Sequence, residues 1–435
     1  MTQDKKTKIQ VLFLALALTL VAVYYLFTFN FSKTWYDLKD STQQVYRALV
    51  LQRHTQFIPL DAEFKKVNRL DYNVFSLNNY WDTQEHLWRV ELRNLRTDSV
   101  HHSWNYYEKD LDLVSTHERT YSHAPTLGCI LLEDRSLVVP VCYSNNLLCL
   151  DKTSTIKWAK HDNMVHHASN LDHQGNIWSC SAQYHYIDTM TGYIKVDEIM
   201  KTDVRTGEVL YKKSLLDILT DNDLEYLFHG SYYSSEDSDM QHVVCKNPIH
   251  LNDIEPALSE GTYWKKGDLF LSLRNKSIIL QYRPSTHKVI RKIQGKFLNQ
   301  HDVDIKSNHE ISVFNNNRST VGKYLTPSLI SKKSMLDSIS SVVTYNLETQ
   351  TFHTELKTAF KDYGIFSPTE GLQHFLSNGD LFVEAQQQGK VYIFRPDVSQ
   401  ENGYQLLYAN YMNQPTEDGF VEMPHWTKIY ENIDF

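Results

Sequence analysis

Two stretches far apart in the chain share one pattern: a histidine, a short strand, a tight turn about eight residues on, and a second strand. One reads His167-Ala-Ser-Asn-Leu-Asp-His-Gln-Gly-Asn-Ile-Trp and the other His301-Asp-Val-Asp-Ile-Lys-Ser-Asn-His-Glu-Ile-Ser-Val-Phe. A third histidine, His250, stands just before another strand in Pro248-Ile-His-Leu-Asn-Asp-Ile254. Arg274 lies in the strand that follows, Leu271-Ser-Leu-Arg-Asn-Lys-Ser277. If these hairpins are neighbouring units of a ring, three imidazoles and one guanidinium face a common mouth. Imidazole titrates near neutral pH and serves as base, acid or nucleophile. Arginine holds oxyanions by paired hydrogen bonds. The set suits a small oxyanion such as a sulfate, phosphate or carboxylate.

The elements that would carry these residues repeat. Strand, polar turn, strand recurs at residues 148–158, 201–211, 279–290 and 343–352, with Asp, Asn or Pro opening the turn. Those residues turn the chain through their fixed φ or their own side-chain hydrogen bonds. Upstream of most of these hairpins lies an inner one, turned by polar tetrads such as Glu133-Asp-Arg-Ser136 and Ser377-Asn-Gly-Asp380. Pairing inner with outer gives blades near 126–160, 167–213, 250–293, 301–357 and 371–411, with one more at 76–115. The fold class expected is therefore all-β, a six-bladed β-propeller over 76–435, closed by the 412–435 tail joining the first blade. Two inserts, 214–245 and 318–341, are expected on one rim.

The N-terminus is a separate object. Val11 to Phe29 is apolar apart from Thr19 and Thr28. A helix of that length rises about 28 Å, enough to cross a bilayer core. Lys5, Lys6 and Lys8 precede it, which places residues 1–8 in the cytoplasm and the rest outside. The end, Tyr24-Tyr25-Leu26-Phe27, lacks the small residues of a cleavage site. The expected organisation is a cytoplasmic stub (1–8), an uncleaved transmembrane signal anchor (9–31), a juxtamembrane stem (32–75) and the propeller outside the cytoplasm. The formal charge of −8, with no long basic run beyond the N-terminus, argues against nucleic acid as a partner. Five cysteines, an odd number, preclude complete pairing within the chain. Cys142 and Cys149 flank a turn, so either a hairpin disulfide or buried thiols is expected there.

The chain holds 20 histidines, and most should be ordinary. His123, His161, His166, His173, His185, His287, His309, His374 and His425 read as surface or turn residues, with His166 the rival of His167. Asp302 and Asp304 share a strand face, but two carboxylates supply too few oxygens for calcium. Zinc on His167, His250 and His301 is disfavoured by the arginine in the same pocket. Trp264 is an aromatic candidate for the substrate wall.

The motifs His250-Leu-Asn-Asp-Ile254, Ser272-Leu-Arg274, Gln300-His-Asp302 and Phe314-Asn-Asn316 resemble those of the bacterial arylsulfotransferase family. The likeness covers about 160–400 and is clearest over 247–318. It implies a six-bladed propeller that moves a sulfuryl group from a phenolic sulfate ester to another phenol, with no nucleotide sulfate donor and no cofactor. By the same resemblance His301 is transiently sulfated, and His250 and Arg274 hold the sulfuryl oxygens. His167 completes the pocket on oxygen or as a proton-transfer partner. The partners implied are an aryl sulfate donor and a phenolic or other hydroxyl acceptor. The location implied is a bacterial inner membrane, facing the periplasm. Ala168, Asn275, His309 and Asn315 depart from the family's pattern; they keep the four central residues and change what surrounds them. A propeller that binds envelope polymers without turnover is the alternative those departures motivate. A quinone-dependent redox propeller would carry regular Trp and Gly docking motifs, which this sequence lacks.

Overall fold

A computed structural model describes residues 57–82, 84–107, 111, 126–142, 144–187, 192–228, 247–317 and 339–433. The chain divides into two compact units, 1–57 and 58–435, and all but one of the described residues belong to the second. That unit is a six-bladed propeller of four-stranded antiparallel sheets. Blade 2 runs outward from Ile130–Leu131 through Leu137–Val141 and Asn146–Leu150 to Ile156–Lys160. Blade 3 comprises Met164–Leu171, Ile177–Ile187, Gly192–Thr202 and Val209–Ser214, and blade 4 Leu251–Pro256, Leu269–Leu273, Ile278–Arg283 and Lys288–Gln294. Blade 5 comprises His301–Ser307, Glu310–Asn315, Ser341–Asn346 and Thr351–Glu355. Blade 6 comprises Leu372–Phe375, Leu381–Ala385, Lys390–Pro396 and Tyr404–Tyr411.

The burial of each strand follows its place in the blade. Second strands lie between neighbouring blades on both faces and read as apolar runs: Leu137–Val141, Leu269–Leu273 and Leu381–Ala385 are buried throughout. The outermost strands alternate; Lys288–Gln294 exposes every second side chain along most of its length. Turn chemistry does the rest. Asp172 Oδ1 accepts from the backbone N–H groups of Gln174 and Asn176, and Asp203 Oδ1 from those of Arg205 and Thr206. Asn346 Oδ1 caps its turn in the same way. These are the polar turns read from the sequence, each closed by its first residue.

The innermost strands carry an edge of unpaired backbone donors toward the axis, which a sheet must satisfy or cover. Carboxylates from the preceding blade do this. Asp197 Oδ2 accepts from Leu251 N at 2.9 Å, Asp253 Oδ2 from Val303 N at 2.7 Å and Asp302 Oδ2 from Gln373 N at 2.7 Å. Glu384 Oε2 accepts from Thr427 N at 3.2 Å. Blades 3 to 6 and the closing strand are thus tied in series around the channel.

Closure comes from the C-terminal tail, as expected. Lys428–Tyr430 pairs with Phe75–Asp82 as the innermost strand of blade 1, whose outer strands are Leu87–Asn94 and Ser99–Tyr106. The N-terminal boundary needs correction. Val67–Asn68, placed in the stem by the sequence reading, is a fifth strand on the outside of blade 6, paired with Tyr404–Tyr411. Phe64 packs edge-on against Tyr392 and Tyr411 in the same blade, and Lys390 Nζ meets Asp61 Oδ2 at 2.7 Å. Two residues are too short a strand to show alternation. The cytoplasmic stub 1–8, the transmembrane segment 9–31 and the stem up to residue 56 lie outside the described residues; among those described, no helix is long and apolar enough to cross a membrane.

Cys129, Cys142, Cys149 and Cys180 are buried thiols, and no Cys142–Cys149 bridge forms. Cys142 packs with Leu127, Ala168, Leu372 and Trp426, whereas Cys149 packs with Ile130, Val138, Leu147 and Ile177. Of the two inserts, the first begins with the helix Leu215–Thr220, capped by Ser214 Oγ accepting from Asp217 N, and residues 229–246 and 318–338 lie outside the described set.

Candidate active site

Toward one end of the channel, every innermost strand contains, or lies within two residues of, a residue in the left-handed region. These are Trp426 (φ 59°), Gly128 (69°), His167 (54°), His250 (58°), Asp302 (54°) and Glu370 (54°), for blades 1 to 6 in turn. In blades 3, 4 and 5 the strand pairing also slips at these points, between Val165 and Ser169, Leu251 and Asp253, and His301 and Val303. Such bulges re-aim side chains next to functional sites, and left-handed non-glycine residues cost about 1–3 kcal/mol each. Here they turn the histidines toward one another.

The result is a compact imidazole cluster. The rings of His167 and His250 lie 4.9 Å apart and those of His167 and His301 6.2 Å apart. His250 Nε2 is 3.3 Å from His167 Nε2. Arg274 joins through the backbone, donating its N–H to His250 O at 3.1 Å, and its charge bears on both His250 and His301. The three histidines singled out in the sequence therefore lie together, with the Arg274 backbone beside His250. Burial, and behind it the Arg274 charge, pushes His301 from the usual 6.5 down to about 3. Burial holds His167 well below its ordinary value, with the other histidines adding to it. His250 is pushed down by burial, then by Lys195 and Arg274. The three imidazoles are neutral at physiological pH.

Each ring has a partner on its far side, and those partners set which nitrogen faces the cluster with a lone pair. Asn316 donates through Nδ2 to Ser367 O and Glu370 O, so its Oδ1 accepts from His301 Nδ1–H at 2.7 Å. His301 Nε2 then carries a lone pair, which the Glu370 backbone N–H meets at 3.3 Å. Asn247 Nδ2 donates to His250 Nδ1 at 2.8 Å, leaving His250 Nε2 as an N–H donor. His166 Nε2 faces Ser181 O at 3.2 Å, a carbonyl that only accepts, so His166 Nδ1 accepts from His167 Nδ1–H at 2.8 Å. His167 Nε2 is left with its lone pair. The cluster thus presents lone pairs on His301 Nε2 and His167 Nε2 and an N–H donor on His250 Nε2.

Several of these residues escaped the sequence reading. His166 and His425, expected at the surface or in turns, are buried. His166 neighbours His167, and a regular strand would send it to the opposite face; the bulge brings it in. Trp426, not Trp264, is the aromatic at the site, with its ring 6.1 Å from His301 and 6.3 Å from His167. Trp264 is core, edge-on to Phe270 between blades 4 and 5. The departures find local work. Asn275 Oδ1 accepts from Arg274 Nη1 while its Nδ2 donates to Asn247 O. Asn315 Oδ1 accepts from Leu298 N, steadying the loop that delivers His301. Ala168 is packed in the cluster with Cys142 and Trp426. Asp304 Oδ2 meets Gln373 and His374, and among the described residues no group of three or more His, Cys, Asp or Glu side chains is arranged to hold a metal ion.

Comparison with known proteins adds one assignment. The family described as Arylsulfotransferase (ASST) matches residues 134–399, more than half of the chain. No curated protein sequence matches it. Among solved structures, similarity is found to a protein of unknown function from Bacteroides caccae, at 11% identity over 83% of this chain and 100% of that one, TM-score 0.48. A catalytically inactive virginiamycin B lyase from Staphylococcus aureus with quinupristin matches at 8% identity over 80% and 88%, TM-score 0.39. The Dos1 propeller matches at 10% identity over 83% and 77%, TM-score 0.40.

Proposed function

This chain belongs to the arylsulfotransferase family, and from that premise we propose that it transfers a sulfuryl group between aryl oxygens through a sulfo-histidine at His301. His301 Nε2 attacks sulfur, the N–S bond forms, and the sulfur–aryl oxygen bond breaks with its electron pair leaving on the aryl oxide. His301 Nδ1–H stays on Asn316, which stabilises the sulfo-imidazolium. Arg274 and the His250 Nε2–H stabilise the sulfuryl oxygens in flight. In the second half, an acceptor phenol oxygen attacks sulfur, the N–S pair returns to His301, and the phenol proton passes to His167 Nε2. Donor and acceptor exchange one sulfuryl group for one proton, so neither a nucleotide sulfate donor nor a cofactor is required.

The observation that supports this reading is the His301 ring, buried, held through Nδ1 by Asn316 Oδ1 at 2.7 Å and set 6.2 Å from the His167 ring. The N-terminal apolar segment is read as an anchor holding the propeller on the outer face of a bacterial inner membrane. The test is intact mass after incubation with an aryl sulfate alone. One sulfo group should appear on a peptide containing His301 and be absent from His301→Ala. Tight binding of aryl sulfates with no sulfo-enzyme over a broad donor panel would return the protein to the alternative, a binding module of the cell envelope.

A further inference from the structure

We infer that His166 and Asp197 form a buried relay behind His167 that makes it the base of the acceptor half-reaction. The inference rests on the sulfuryl-transfer reading above. Its substance is a continuous line of contacts leading away from the substrate side. His167 Nδ1 and His166 Nδ1 are 2.8 Å apart, and His166 Nε2 is 3.2 Å from Ser181 O and 3.3 Å from Asp197 Oδ1. Lys195 Nζ lies 3.1 Å from the same Asp197 oxygen, and neither side chain of that pair is exposed. The charged and titratable groups facing His166 are Lys195 and Asp197 from Gly192–Thr202, His167 on its own strand, and beyond it His250 of blade 4 and His301 of blade 5.

The chemistry follows from this order. When an acceptor phenol gives its proton to His167 Nε2, the His167 Nδ1–H can move onto His166 Nδ1. The positive charge then sits on His166, whose Nε2–H is directed at Ser181 O beside the Asp197 carboxylate. Lys195 holds Asp197 well below the usual carboxylate range, so the carboxylate stays ionised to receive that charge. Without Asp197 a second imidazolium here would face Lys195 with nothing opposing it. The proton returns along the same line to the next departing aryl oxide, which balances the cycle. His166 touches no substrate; it acts through His167.

The experiment separates the two half-reactions with the full-length protein. Rapid mixing with an aryl sulfate gives the burst of aryl oxide, and adding phenols of graded acidity to the sulfo-enzyme gives the acceptor step. His166→Phe should lose about 100-fold in the acceptor step for weakly acidic phenols, the scale of a positioned base. That loss should exceed any loss in the burst. It should shrink toward nothing for phenols already ionised at the assay pH, and recover as pH rises toward the pKa of the phenol. His166→Gln, which can present an oxygen to His167 Nδ1–H, should recover part of the rate. Should His166→Phe fail to fold, Asp197→Asn, of equal size, should show the same dependence on acceptor acidity. Equal losses in both half-reactions, or a loss indifferent to phenol acidity, overturn the relay while leaving the sulfo-enzyme in place. Wild-type protein that gains no sulfo group from the donor overturns the parent reading, and the relay with it.

Discussion

The neutral state of His301 sets a pH dependence that an ordinary imidazole would not have. The step to follow is attack of His301 on an aryl sulfate, seen as the burst of aryl oxide. The substrate's sulfate group does not titrate between pH 5 and 8, so the change reports the protein. With its pKa pushed down to about 3, His301 stays ~99% neutral at pH 5, against ~3% for an imidazole at the unperturbed 6.5. Lowering the pH from 8 to 5 should therefore leave the burst rate almost unchanged, where an exposed histidine would lose roughly 30-fold. Stability needs a parallel check, and its sign is clear. A histidine with a depressed folded pKa binds fewer protons than in the unfolded chain, so stability is full above 6.5 and lost as pH falls toward 3. At pH 5 each such histidine costs roughly 2 kcal/mol, and His425, also pushed down to about 3 by burial, adds a second. Circular dichroism on the same samples must show the native fold. A burst rate that falls with an apparent pKa near 6.5 in folded protein would sink the assignment of His301 as a desolvated nucleophile.

Three further outcomes follow from particular contacts. Asn316→Ala frees the His301 ring and removes donors to Ser367 O and Glu370 O; the sulfation step should slow about 10-fold, the difference between a neutral and a charge-assisted hydrogen bond, with unchanged kinetics counting against the tautomer assignment. Ending the chain after Trp426 removes Lys428–Tyr430 from blade 1 and the Tyr430 hydroxyl from Leu131 N; thermal melts should show loss of cooperative unfolding, because the edge of Phe75–Asp82 is opened to the channel. Native protein should leave Cys129, Cys142, Cys149 and Cys180 unlabelled by an aromatic disulfide reagent, since all four are buried and Cys129 and Cys149 are pushed up to about 12 and 11; all five should react once the chain is unfolded.

The ring was legible because its signals are local. Polar turns such as Asp172 and Asp203 close on their own backbone, and apolar runs such as Leu269–Leu273 sit between hairpins at regular spacing. Repetition then gave blade number, strand order and closure by the tail. His250 and His301 could be placed near the mouth because each stands at the start of an innermost strand; His167 lies within one, and Arg274 follows the second strand of blade 4. What failed was whatever depends on a departure from regular strand geometry. His166 needs the slip at Val165 to Ser169 to join His167, and Trp426 reaches the rings of His167 and His301 from a closing segment too short to show a period. Lys195 and Asp197 lie on the third strand of blade 3, where alternation predicts ordinary blade-face residues. Val67–Asn68 was lost for the same reason as Trp426: two residues carry no period.

One feature of the channel decides how an anion can sit at this mouth. Asp253 lies three residues along the strand from His250, about 10 Å at the usual strand rise. A full negative charge there would oppose a bound sulfate by about 1.7 kcal/mol at an effective dielectric of 20. It would also draw the imidazole pKa values back up. Asp302, Asp304 and Glu255 would add to it. Burial first, and then mutual repulsion, instead pushes Asp253 up to about 7 and raises Asp302 and Glu255 above the carboxylate range. Lys428 offsets part of what charge remains, with its Nζ on Asn170 Oδ1 beside Asp253. The acids needed to tie one blade to the next are thereby kept from cancelling the Arg274 field. The neutral histidines above and the raised acids Asp253, Asp302 and Glu255 below are two results of the same desolvation.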